Sequence, residues 1–131
     1  MFKRSLRGTI PAAGAALAAA LLMPGTAQAA TPDITLYITN SFTNVASISF
    51  HDDGDKFTVC DLYADGHGVR GSLYYAGDRV ATKYNGLGSG NCNSFTYDVK
   101  AAAGGYDMWV CLVDGSSDTT GSSCEHKQIS E

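Results

Sequence analysis

From residue 34 onward, apolar side chains fall at every second position in one short run after another. Ile34, Leu36 and Ile38 alternate with Thr35 and Tyr37, Ala46, Ile48 and Phe50 alternate with serines, and Phe95, Tyr97 and Val99 alternate with Ser94, Thr96 and Asp98. Side chains on a strand point to opposite faces in turn, so a period of two predicts half-buried β-strands. The run from Met108 to Val113 is apolar without a break and predicts a central strand covered on both faces, and residues 124–129 predict a short final strand. Polar or glycine-rich stretches separate the runs: residues 40–44, the charged turn His51-Asp52-Asp53-Gly54-Asp55, the loop NGLGSGNCN over 85–93, the small-residue turn 101–105 and the polar loop 114–123. No segment carries a helical period. The pattern predicts an all-β chain, an antiparallel β-sandwich of about 7–8 short strands, either immunoglobulin-like or a small barrel.

The stretch over 56–84, KFTVCDLYADGHGVRGSLYYAGDRVATKY, reads as a three-strand meander. Asp65-Gly66 is a favoured two-residue hairpin turn, and it would set Leu62 opposite Val69, Asp61 opposite Arg70 and Cys60 opposite Gly71. A second turn at Gly77-Asp78 would pair Tyr75 with Val80, Ser72 with Lys83 and Gly71 with Tyr84, whose ring would cover the glycine. On these registers Leu62, Cys60, Val69, Leu73, Tyr75, Val80 and Tyr84 share one face, and Asp61, Arg70, Ser72 and Lys83 the other. Asp61 and Arg70 would then form a cross-strand ion pair.

Residues 1–29 stand apart. Lys3, Arg4 and Arg7 precede a short apolar run ended by Pro24-Gly25, and Ala27-Gln28-Ala29 has the small residues of a cleavage site. This is the layout of a secretory signal peptide, with a mature chain from about Ala30 forming a single domain over 30–131. The whole chain carries 9 Lys and Arg against 13 Asp and Glu, and the leader holds three of the bases and none of the acids. The mature domain is therefore acidic, at −7, and repels phosphate backbones and anionic lipid; no nucleic acid and no membrane span are expected.

Cys60, Cys92, Cys111 and Cys124 all lie in the mature part. An even count in an exported chain predicts two disulfides. Cys111 and Cys124 face each other across a final hairpin if its loop centres near Ser117-Asp118, which leaves Cys60 for Cys92. The rival pairing is Cys60–Cys111, an immunoglobulin-like bridge, with Cys92–Cys124 left over. No C-x-x-C spacing marks a zinc site, so metal ligands and cofactors are not expected.

Gly66-His67-Gly68-Val69-Arg70-Gly71 matches the dinucleotide fingerprint letter for letter, but on a return strand it lacks the helix that motif needs. Asp52, Asp53 and Asp55, with Asp61 and Asp65 downstream, suggest calcium, yet they lack EF-hand spacing and read as a solvated turn. His67 with Asp61 or Asp65 could do acid–base work, although no G-x-S-x-G elbow accompanies them and Gly88-Ser89-Gly90 has another pattern. Among Tyr37, Tyr63, Tyr74, Tyr75, Tyr84, Tyr97, Tyr106 and Trp109, the candidates for a binding surface are Tyr63, Tyr74 and Trp109, with His67 beside them.

The order VCDLYADGHGVRGSLYY, then KYNGLGSGNC, then WVCLVDG resembles small exported proteins of actinomycetes, a group without an assigned activity. The resemblance implies export and a β-rich domain and brings no catalytic or ligand-binding residue with it. The expectation is a secreted, extracellular, non-catalytic β domain that binds a protein or glycan, in one version as an inhibitor of a secreted hydrolase. The alternatives are a small secreted hydrolase using His67 with Asp61 or Asp65, and a calcium-stabilised domain of the cell envelope.

Overall fold

The structure, a computed structural model, describes residues 33–101 and 104–131. The leader over 1–29, the expected first residue Ala30, and the middle of the small-residue turn lie outside the described residues. The alternating runs form β1 (Ile34–Thr39), β2 (Asn44–His51), β3 (Lys56–Asp61), β4 (Gly68–Tyr75), β5 (Asp78–Asn85), β6 (Cys92–Thr96), β7 (Tyr106–Val113) and β8 (Ser122–Ile129). They pair antiparallel in two four-stranded sheets, ordered β1-β2-β3-β6 and β5-β4-β7-β8. This is a sandwich, not a closed barrel. Its order is immunoglobulin-like: β2, β3 and β6 stand as strands A, B and E, and β5, β4, β7 and β8 as C′, C, F and G, with β1 added outside.

Phe50, Phe57, Ile48 and Val59 on one sheet, and Val69, Leu73, Met108 and Val110 on the other, are wholly enclosed between the sheets. Phe57 stacks between Phe50 and Phe95, with ring centroids 4.9 and 4.8 Å away. Each such side chain contributes about 1.5–3 kcal/mol by leaving water, so this core decides which face of every strand turns inward.

That rule corrects the meander. β3 and β4 lie in opposite sheets, and the second neighbour of β4 is β7. The apolar alternation of β3 is Phe57 and Val59, which the Asp65-Gly66 hairpin would have put on the polar face; Cys60 and Leu62 point away from the core instead. Residues 62–67 therefore cross between the sheets. The Asp61–Arg70 pair does not form. Asp61 is buried at the end of β3, while Arg70 Nε and Nη2 donate to the carbonyls of Asp118 (3.0 Å) and Ser116 (2.6 Å).

The β4–β5 hairpin does form, out of the expected register by two residues at the turn, where Tyr75 faces Asp78, and by one beyond the bulge. Its turn is Ala76-Gly77, both at positive φ (51° and 89°), and a bulge at Val80 brings Ser72 opposite Thr82 and Gly71 opposite Lys83. A Cβ at Gly71 would overlap Val59 and Ile48 of the facing sheet, so this glycine permits the close approach of the two layers; the Tyr84 ring rests against Gly68 and Gly86 instead. β7 is central in its sheet and buried on its inner side, whereas on the outer one Asp107 is exposed and Trp109 and Cys111 are only half-buried. β6 ends at Thr96, short of the expected run, although Val99 beyond it is still buried.

Both disulfides join cysteines that sit directly opposite on neighbouring strands: Cys60–Cys92 across β3 and β6, and Cys111–Cys124 across β7 and β8. The immunoglobulin-like bridge between the sheets is excluded because Cys60 and Cys111 lie on the outer faces, opposite Val59 and Val110.

Candidate binding surfaces

Strand directions bring four connections to one end of the sandwich. Ala46 pairs with Asp61, Cys60 with Cys92, Val69 with Asn85 and Gly68 with Val113. Residues 40–43, 62–67, 86–91 and 114–121 therefore lie side by side, where immunoglobulin variable domains carry their binding loops.

Each loop is held by its own polar residues. Asn85, wholly buried, donates from Nδ2 to Val59 O (3.0 Å) and Asn91 O (2.7 Å) and accepts Leu87 N (3.1 Å). Asn91 Nδ2 in turn donates to the carbonyls of Leu87 and Gly88, both at 3.2 Å, which closes the glycine-rich loop on itself. The Asp118 carboxylate accepts the amides of Thr120 and Gly121 on Oδ1 and of Asp114 on Oδ2. Those amides, with Gly121 the largest contributor, lower its pKa to about 2.

Between these loops a cleft of about 310 Å³ is lined by Asp61, Asp65, His67, Tyr84 and glycine backbone. Asp61 is 3% exposed, and its Oδ1 accepts the Tyr63 amide (3.2 Å). Burial pushes its carboxyl above the ordinary carboxylate range and the Asp65 charge adds to the rise, against the Tyr63 amide, which lowers it. His67 Nδ1 lies 2.8 Å from Asp114 Oδ1, while Asp65 Oδ1 accepts only the His67 main-chain amide (3.0 Å). The ring partner of His67 is thus Asp114, not Asp61 or Asp65. On the loops of this end Phe42 (96% exposed), Leu87 (62%), Tyr63 (48%) and Leu62 (38%) stand in solvent.

The other expected aromatics are elsewhere. Tyr74 and Trp109 lie on the outer face of the β5-β4-β7-β8 sheet, edge to face with centroids 5.9 Å apart, and His126 stacks on Trp109 at 4.5 Å. The four expected binding residues thus fall into two pairs on two surfaces. The sequence reading missed Phe42, Leu87 and His126. A lone apolar residue within a polar turn was the available signal for the first two, whereas the His126 contact depends on the β7–β8 register.

Among the described residues, no three His, Cys, Asp or Glu side chains converge as a metal site requires, and no helix is long and apolar enough to cross a membrane. Asp52 and Asp55 face the C-terminal Glu131, where burial and then the Asp55 charge raise the Glu131 pKa. No protein-family model, curated protein or solved structure gives a significant match to the chain.

Proposed function

We propose that this chain is an exported, non-catalytic domain that binds an extracellular protein through the loop end of its sandwich. One observation carries the reading: Phe42, Leu62, Tyr63 and Leu87 are four of the five large apolar side chains exposed among the described residues, and all four lie on loops of one end. Exposed apolar side chains gathered in one place favour a protein interface, and loops held rigid before contact lose little entropy on binding. The position of the loops agrees with immunoglobulin domains, which is an analogy of fold alone. Two disulfides and the predicted leader suit an oxidising, extracellular setting.

Charge narrows the partner. The four loops contain Asp65, Asp114 and Asp118, with Asp61 behind them, and no Lys or Arg. The complementary surface is apolar with a basic side chain, Lys or Arg, that enters the cleft toward Asp61 and Asp65. An enzyme inhibitor that blocks a basic-rimmed hydrolase is one form such a domain takes. The test is capture from spent culture medium on the immobilised mature domain. A partner retained by the wild type and by Trp109→Ala, but lost with Phe42→Ser/Leu87→Ser, supports the loop end. Equal capture by the loop variant removes it.

A second reading, a small hydrolase, draws on His67. With Nδ1 bonded to Asp114, the other ring nitrogen serves as an acceptor in a cleft that also holds the high-pKa Asp61. His67→Ala separates the two: a hydrolase loses all turnover, whereas a binding domain keeps its partner within a few-fold.

A further inference from the structure

The outer face of the β5-β4-β7-β8 sheet carries a second site, independent of the loop end. Thr82, Ser72, Trp109 and His126 lie in one row across the four strands, with Tyr74 and Asp107 in the next. His126 lies nearly parallel to the indole, with 13° between the planes, and covers one of its faces. The opposite face turns toward β4, where the register partner is the small Ser72, whose hydroxyl lies 3.0 Å from that of Thr82.

Two clefts share the Tyr74 and Trp109 rings. One, of about 320 Å³, has Ser72 as part of its lining, and Thr119 and Thr120 from the β7–β8 loop beside it. The other, of about 330 Å³, is completed by Gly77 and Asp107. Each has the volume for one pyranose ring. A pyranose presents C–H groups on its faces and hydroxyls around its rim, which matches an aromatic wall set among hydroxyls and a carboxylate. The cations beside the first cleft are already engaged: the Arg70 guanidinium donates to Ser116 O, Asp118 O and the Thr82 hydroxyl, and Arg79, opposite Tyr74, donates from Nη1 to Thr119 O (3.5 Å). The geometry points to a site for a neutral oligosaccharide, with one ring in each cleft and the Tyr74–Trp109 pair between them.

Trp109 is the sole tryptophan of the chain, so its emission reports this site directly. Titration of the mature domain with β-1,4-linked glucose and N-acetylglucosamine tetrasaccharides is expected to give a saturable shift in emission. The corresponding monosaccharides, which fill one cleft, bind at least about tenfold more weakly. By calorimetry, Tyr74→Ala and Asp107→Asn each lower tetrasaccharide affinity at least about tenfold, while Phe42→Ser/Leu87→Ser binds sugar as the wild type does. The last variant separates this site from the loop end, since either can fail alone. No emission change with either tetrasaccharide at millimolar concentration overturns the proposal. So does equal affinity for mono- and tetrasaccharide, undiminished binding by Tyr74→Ala in a folded variant, or saturation by a proline-rich peptide in place of the sugars.

Discussion

Asn85 joins three parts of the molecule at one point. Its amide serves β3 through Val59 and the glycine-rich loop through Leu87 and Asn91, and the whole side chain is buried. Asn85→Ala leaves these groups unpaired and is expected to lower stability by about 3 kcal/mol, read from urea unfolding. Ala76 is the converse case. It holds φ of 51° in a turn that suits Asn-Gly, so Ala76→Asn is expected to raise stability by about 0.5–1 kcal/mol in the same assay. Asp118 adds a pH signature. Its carboxyl titrates at about 2 in the fold against an ordinary 3.8, so the bonds it accepts stabilise the loop above the ordinary value. That contribution is lost as pH falls from about 4 toward 2. Amide shifts of Asp114, Thr120 and Gly121 are expected to follow this titration and to become insensitive to it in Asp118→Asn.

The strands were legible as elements because a period of two survives any arrangement of them. Partnership was legible across the tight turn of β4–β5 and, through the facing cysteines, across the longer loop of β7–β8. For β3 it was not. Its sequence offers two alternating sets, Phe57 with Val59 and Cys60 with Leu62, and a plausible Asp-Gly turn selects the second. The stack of Phe57 between Phe50, across the β2–β3 turn, and the distant Phe95 selects the first. A charge-swap series tests the outcome: Asp61→Arg with Arg70→Asp is expected to be as unstable as the single changes added, with coupling below about 0.5 kcal/mol. Rescue by the swap would restore the hairpin. The disulfides were legible as a pairing although the meander behind Cys60–Cys92 was not, because β6 alone brings Cys92 opposite Cys60. The bridged cysteines are 32 and 13 residues apart. Removing Cys60–Cys92 is expected to cost about 3.5 kcal/mol and removing Cys111–Cys124 about 3, each as a paired Cys→Ala change.

At the scale of the molecule, the sandwich separates support from contact. One end gathers turns, the C-terminus and the acidic group around Asp55, while the other gathers four loops tied by Asn85, Asn91 and Asp118. Neither this division nor the loop-end cluster can be read along the chain, since Phe42, Tyr63 and Leu87 are far apart until the strands pair. The binding reading predicts an association rate that falls steeply with added salt, because Asp65 and Asp114 face a basic partner, and an affinity that weakens on acidification as Asp61 takes up its proton. The most direct test of the loop end as the working surface is amide hydrogen exchange of the domain, alone and with the captured partner. Protection confined to residues 40–43, 62–67, 86–91 and 114–121 is the predicted result. Protection at the opposite turns, 52–55 and 76–77, with those four loops unchanged, would contradict it.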